Sequence, residues 1–463
     1  MAPRSTAEAD LTGLREDFAG DALTPADAGY DEARTVFNSM IDRRPSVIAQ
    51  CESPADVAHA VRFARAHGLE IAVRGGGHSV AGMALSEGGL VVDLRRMNEV
   101  AVDPASRAAR VGGGATMSDL DRATQPYGLA TTGGRASTTG VGGFTLGGGS
   151  GWLERKFGLA CDNLLAVELI TADGGTVHAS VDENPELFWA LHGGGGNFGV
   201  ATSLTLELHE LPAMSIVMLL HRPENGRRVV ETFRDVMASA PDEAGGGCLY
   251  FTAPPEDFVP EHLVGTTVCA TLITFAGTEE RARAVAAPLL TLGHGAEVVG
   301  ELPYADLQCM LDDPPGMRNY WSAEYLDSLP DEAVEVFCAR ASDMPMPSAT
   351  QHVLFPMGGA VSRNTSGYPL PWRSAPWAVH PFGVWENPSD DARGTQWVRD
   401  VRADMRPWSG GAVYLNFIGN EGSARVVEGV GAENYARLAA VKAQYDPDNV
   451  FRLNHNILPA AQM

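Results

Sequence analysis

Glycine is the residue that most limits what this chain can become. Many of its 52 glycines gather in four clusters: 75–77, 112–114, 140–151 (GVGGFTLGGGSG) and 193–199 (GGGGNFG). The clusters adjoin apolar runs of strand character, such as IAVR at 71–74 and GLVVDL at 89–94. Turns without Cβ atoms expose their amides, and several such amides together form a concave anion site without any lysine. One cluster is usually only turns. Four between residues 75 and 199, on an acidic chain, point to a ligand carrying a pyrophosphate.

The obvious nucleotide reading fails on context. Residues 194–199 spell Gly-x-Gly-x-x-Gly, a fingerprint that requires a strand before it and a helix after it. Here NPELFWALHG reads as a short helix before it, with Pro185 early and Gly193 as a stop. GVATSLTLEL follows, and its alternation reads as a strand. A nicotinamide site of the Rossmann type is not expected.

Charge and motifs remove other classes. A formal net charge of −24 argues against nucleic acid and anionic membranes as partners. The N-terminal MAPRSTAEADLTGL has no apolar targeting core, and no run of 18 apolar residues occurs, so a cytoplasmic protein is expected. The six cysteines form no Cys-x-x-Cys pair, which favours buried, reduced thiols over a disulfide frame or a metal site. No His-Glu-x-x-His, Walker lysine loop or Gly-x-Ser-x-Gly elbow appears.

The pattern of elements is α+β. Strands are expected at 45–51, 70–74 and 89–94. A helix follows Ser53, with Gly68 as its stop, and a hairpin over 165–180 turns at Asp173-Gly174-Gly175. Beyond about residue 212 the texture changes to polar helices (PENGRRVVETFRDVMASA, TEERARAVAAPLLTLG) alternating with apolar strands (TTVCATLITFAG). This reads as an antiparallel sheet with helices on one face. Tyr368, Trp372, Trp377, Phe382 and Trp385 crowd one Pro-rich stretch and suit either a core or an apolar pocket.

Several motifs now carry a resemblance. VRGGGHS, TTGGRASTTGVGGFTLGGGSGWLERKFGLACDNLLAVELITADG, ELFWALHGGGGNFGV and the tail YDPDNVFRLNHNILP together resemble the berberine-bridge-enzyme-like flavoprotein oxidases, whose FAD-binding fold is of the vanillyl-alcohol-oxidase (PCMH) type. The match runs in order from about residue 40 to the end and looks most like the bacterial branch that includes antibiotic-tailoring oxidases. It implies an FAD domain of two α+β lobes over 1–212 (core about 42–212), a substrate domain over 213–420, and a segment at 421–463 returning to the FAD domain.

The resemblance also implies site residues. His78 would bond covalently to the flavin 8α-methyl. Arg74, Gly75, Gly76, Gly77, Ser79, Gly134, Ser137, Thr139, Gly140, Gly142, Gly143, Trp152 and Asn454 would bind FAD. Relatives with two covalent links carry a cysteine where this chain has Ala136 or Ser137, so one link is expected, with Cys161 as a buried thiol. Tyr414-Leu415-Asn416 matches the family's Tyr-x-Asn element, with Tyr414 as base and Asn416 beside it. Read as a strand, AVYLNF puts Tyr414, Asn416 and Ile418 on the cleft face. Trp152, Tyr250, Gln351, His352 and Trp385 are candidates for the substrate pocket. Only Glu386 is acidic between Asp343 and Asp390, where some relatives keep a carboxylate.

The expected activity is that of an FAD oxidase. A hydride would pass from an alcohol, amine or phenolic small molecule to flavin N5, and oxygen would leave as hydrogen peroxide. A dehydrogenase with another acceptor and a non-catalytic flavin carrier are the alternatives. No metal is expected, nor any macromolecular partner beyond a monomer or homodimer.

Overall fold

Three sheets position the cavity described below. The computed structural model describes residues 11–310, 312 and 315–462. The stretch 1–10, expected to carry no targeting segment, lies outside them.

The first sheet runs Asp21–Leu23, Val47–Gln50, Leu90–Asp93, Ile71–Arg74, with the last three strands parallel. Leu90–Asp93 is buried along its whole length, as a central parallel strand must be. The crossover helix Pro54–Ala66 starts at Ser53, whose hydroxyl and Asp56 form a reciprocal capping box. Gly68, at φ 65°, follows its end.

The second sheet is antiparallel, in the order Val100–Asp103, Ala108–Gly112, Val200–Glu207, Leu164–Ile170, Thr176–Ser180. The expected hairpin turns where Asp173 Oδ1 accepts from the Gly175 amide at 3.0 Å and the Thr171 hydroxyl at 2.6 Å. The helix and strand expected around 193–199 are Pro185–Ala190 and Val200–Glu207.

The third sheet is the largest. Its path is Ala296–Glu301, Ser215–His221, Thr267–Phe275, Ala244–Thr252, Gln351–Pro356, Trp377–Trp385 and Arg318–Trp321, with Glu324–Leu326 also pairing to Trp377–Trp385. Gly226–Ser239, Glu279–Leu290, Asp331–Ala341 and Asp391–Met405 cover one face with apolar side chains such as Phe233, Ala286, Phe337 and Val398. The pleat sorts every strand by parity. Cys248, Tyr250, His352, Leu354 and Val379 turn toward the helices, whereas Leu249, Leu272, Gln351, Val353, Phe355 and His380 turn toward the first two sheets.

Buried charged side chains fasten the C-terminal segment to the third sheet and to the fourth glycine cluster. Glu324, in the third sheet, accepts from Arg425 at 2.8 Å. Lys442 pairs with Asp446 at 2.9 Å and donates to the carbonyls of Asn197 and Phe451, so the last helix is tied to the fourth glycine cluster. No described helix is long and apolar enough to cross a membrane.

Candidate active site

All four glycine clusters border one cavity of about 420 Å³, closed on the far side by the third sheet and by residues 451–455 of the tail. The backbones of two clusters touch. A Cβ on Gly76 would stand 2.3 Å from the Gly140 nitrogen, and a Cβ on Gly140 would stand 2.3 Å from the Gly76 nitrogen. Only glycine fits at either place. Gly143 differs: a Cβ there would meet nothing within 4 Å, so its bare backbone borders open space in the cavity.

His78 sits at the mouth of this cradle. Its Nε2 lies 2.7 Å from the Thr138 hydroxyl, and its ring stacks on Phe37 at 4.1 Å between centroids. Burial pushes its pKa down to about 4, so the imidazole is neutral at pH 7 and keeps a lone pair on one nitrogen. Arg74, read as a cofactor ligand, is not at the cavity. Its guanidinium donates to the carbonyls of Ala33 and Thr35, which anchors the segment carrying Phe37.

Tyr414 and Asn416 reach the cavity by a different route from the one expected. Leu415–Phe417 is a 3-10 turn, closed by the Phe417 amide on the Tyr414 carbonyl at 3.0 Å, and not a strand. Six residues are too few for period-2 alternation to compete with that local bond. Residues 414 to 418 all line the cavity as a result. The Tyr414 hydroxyl oxygen accepts from the Gly149 amide at 2.9 Å and from Asn416 Nδ2 at 2.8 Å. Burial drives its pKa upward, and those donors oppose the rise.

The other candidates divide. Gly75, Gly76, Gly77, Ser79, Gly134, Thr139, Gly140, Gly142, Gly143, Trp152, Gln351 and Asn454 line the cavity. Ser137 does not: Asp312 accepts from both its amide and its hydroxyl, while its neighbour Ala136 faces the cavity. Tyr250, His352 and Trp385 are corrected as well, because strand parity turns them toward the helix layer. Tyr250 abuts Gly226, His352 donates from Nε2 to the Phe337 carbonyl at 3.1 Å, and Trp385 donates to Asp391 at 2.7 Å. Cys161 is fully buried, with its thiol pKa raised by desolvation.

Polar residues of the lining that were not expected include Arg135 and His380. Arg135 lies 4.1 Å over the Phe355 ring and pairs with buried Glu154 at 3.0 Å. It stands inside the quoted GRASTTG, where its charge was the available signal. His380 sits in WAVHPFGVW, two residues before Phe382 on the same face.

The cavity suits FAD on its own geometry. A pyrophosphate needs amide donors with no side chain between, which the Gly76–Gly140 contact and the open face at Gly143 provide. Trp152 Nε1 and Asn454 Oδ1 are buried without hydrogen-bond partners, as groups awaiting a ligand would be.

Comparison with known proteins agrees. Residues 45–180 match the family described as FAD binding domain, and residues 413–458 match the one described as berberine and berberine like. (R)-6-hydroxynicotine oxidase of Paenarthrobacter nicotinovorans is 32% identical over 460 residues, covering 95% of this chain and 97% of that protein. A FAD-linked oxidoreductase of Aspergillus terreus is 30% identical, covering 98% and 96%. Among solved structures, 6-hydroxy-D-nicotine oxidase from Arthrobacter nicotinovorans superposes with a TM-score of 0.86 at 29% identity, covering 97% and 99%. A xylooligosaccharide oxidase of Myceliophthora thermophila shares the fold, with a TM-score of 0.83 at 21% identity over 95% of this chain and 97% of that one.

Proposed function

The chain belongs to the berberine-bridge-enzyme-like FAD-linked oxidoreductases, and from that premise we propose an oxidase that holds FAD through one covalent bond at His78 and oxidises an alcohol, amine or phenolic small molecule. When bound, FAD takes a hydride from the substrate carbon and passes two electrons to oxygen, which leaves as hydrogen peroxide.

The chain's own residues supply attachment, orientation and a proton acceptor. A neutral His78 would give its lone pair to the 8α-carbon as the methyl C–H gives up its proton and two electrons pass through the flavin ring to oxygen, and stacking on Phe37 holds the imidazole. A second link has no partner, because Ala136 and Ser137 carry no sulfur and Cys161 does not line the cavity. Tyr414 accepts the substrate's proton. The Gly149 amide and Asn416 aim N–H dipoles at its oxygen and would steady the phenolate, the form in which it takes that proton. In this division of labour 1–212 and 421–463 bind FAD, and 213–420 shape the substrate side.

The observation that carries the reading is the convergence of His78, the glycine cradle and the Tyr414–Asn416 pair on one cavity. The test is oxygen uptake by purified holoprotein over a panel of alcohols, amines and phenols without NAD or NADP. A turned-over compound should give peroxide in a one-to-one ratio with oxygen consumed. Reduction of the flavin that air then fails to reverse would favour a dehydrogenase.

A further inference from the structure

On the sheet side the cavity is walled by rings. Trp321 lies 4.5 Å from Phe382, and His380 stacks on Phe417 at 4.2 Å with 14° between planes. Such walls favour a flat aromatic occupant. No Asp, Glu or Lys lines the cavity among the described residues. The single charged lining residue, Arg135, already has Glu154 at 3.0 Å and donates to the Ser150 and Gly151 carbonyls. Among the described lining residues an ammonium group would find no counter-ion and would face a guanidinium, so burying it is costly.

His380 supplies the polar feature of this wall. Its Nδ1 donates to the Ser322 carbonyl at 2.8 Å, which places the ring proton on Nδ1 and leaves Nε2 as an acceptor. Burial pushes its pKa down to about 4, so this tautomer holds at pH 7. Nε2 has no hydrogen-bond partner, and it is not among the sealed, unpartnered atoms of the interior, so it opens onto the cavity. An acceptor open only to this cavity suits a donor on the occupant.

We infer that the substrate is an uncharged aromatic compound bearing a hydroxyl group, and that His380 selects it by accepting that hydroxyl's hydrogen bond. The inference rests on the FAD-oxidase reading. It separates this chain from any relative whose substrate is an amine cation, and it makes His380 a specificity residue distinct from Tyr414.

The test uses holoenzyme and three probes without a C–H beside a hydroxyl or an N–H: 2-naphthol, its methyl ether, and the trimethylammonium analogue. Dissociation constants come from the change in flavin absorbance at pH 7. 2-Naphthol should bind at least about fivefold more tightly than the ether, the worth of one hydrogen bond, and the cation should bind most weakly. His380→Asn places an amide where Nδ1 was, retains the Ser322 bond and lacks the inner acceptor, so preference for naphthol over the ether should vanish. His380→Gln, whose amide reaches the place of Nε2, should restore part of it. Flavin content should be unchanged in both. Equal binding of cation and naphthol, no binding of naphthol, or full discrimination in His380→Asn would overturn the inference. A wild-type protein that purifies without flavin would instead remove the reading beneath it.

Discussion

Gly76 and Gly140, 64 positions apart, meet backbone to backbone, with no room for a methyl group on either. This contact joins the His78 loop to the start of helix Val141–Leu146 and shapes the floor of the cavity. Gly143, one turn further on, faces open space.

The two glycines should therefore fail differently. Gly140→Ala drives a methyl into backbone that has little freedom to yield, and should destabilise the protein itself by about 1–3 kcal/mol or more. Gly143→Ala meets no protein atom and should leave the melting temperature of flavin-free protein unchanged. It should nonetheless lower flavin incorporation, because the methyl occupies space meant for the ligand. Thermal melts beside flavin content per chain check both. Full flavin loading in Gly143→Ala would move the cofactor away from that helix.

Tyr414→Phe should slow flavin reduction by substrate at least about a hundredfold, within the usual range for loss of a general base. Flavin content should hold. The melting temperature should fall modestly, because the Gly149 amide and Asn416 Nδ2 lose a buried acceptor, at a cost of about 1–3 kcal/mol. Anaerobic stopped-flow with a turned-over substrate gives the rate. A rate within a few-fold of wild type would leave Tyr414 as a packing residue.

Buried imidazoles should make the protein acid-labile. Burial lowers the pKa of His192 to about 4 and of His352 to about 3, against about 6.5 in an unfolded chain. Between those values the unfolded chain binds more protons, so the stability from keeping these rings neutral is complete above about pH 6.5. It is lost as pH falls, at about 1.4 kcal/mol per pH unit for each ring. His352→Gln removes one such ring, so its melting temperature should fall less than that of wild type between pH 6.5 and 4.5. Parallel pH profiles would count against the burial argument.

Local signals in the sequence were legible, and directions were not. The Ser53 cap and the turn at Asp173-Gly174-Gly175 lie where residue type alone dictates backbone geometry. Which way a strand residue points depends on which face the helices cover, and that is a tertiary fact. Gln351 and His352 are neighbours, yet one lines the cavity and the other packs against Phe337. The same parity removes Tyr250 and Trp385 from the site and brings His380 into it. Arg74 reads as a cofactor cation beside a glycine loop, but its partners are carbonyls about 40 positions earlier, a long-range contact that no local pattern announces.

The account turns on the single bond at His78, and peptide mapping of the purified, acid-denatured protein tests it most directly. The intact mass should exceed that of the chain by one FAD, and proteolysis should yield one flavin-bearing peptide, the one containing His78. His78→Ala should lose all acid-stable flavin, and Cys161→Ser should lose none. Flavin on a peptide lacking His78, or a His78→Ala protein that keeps its flavin through denaturation, would contradict the account.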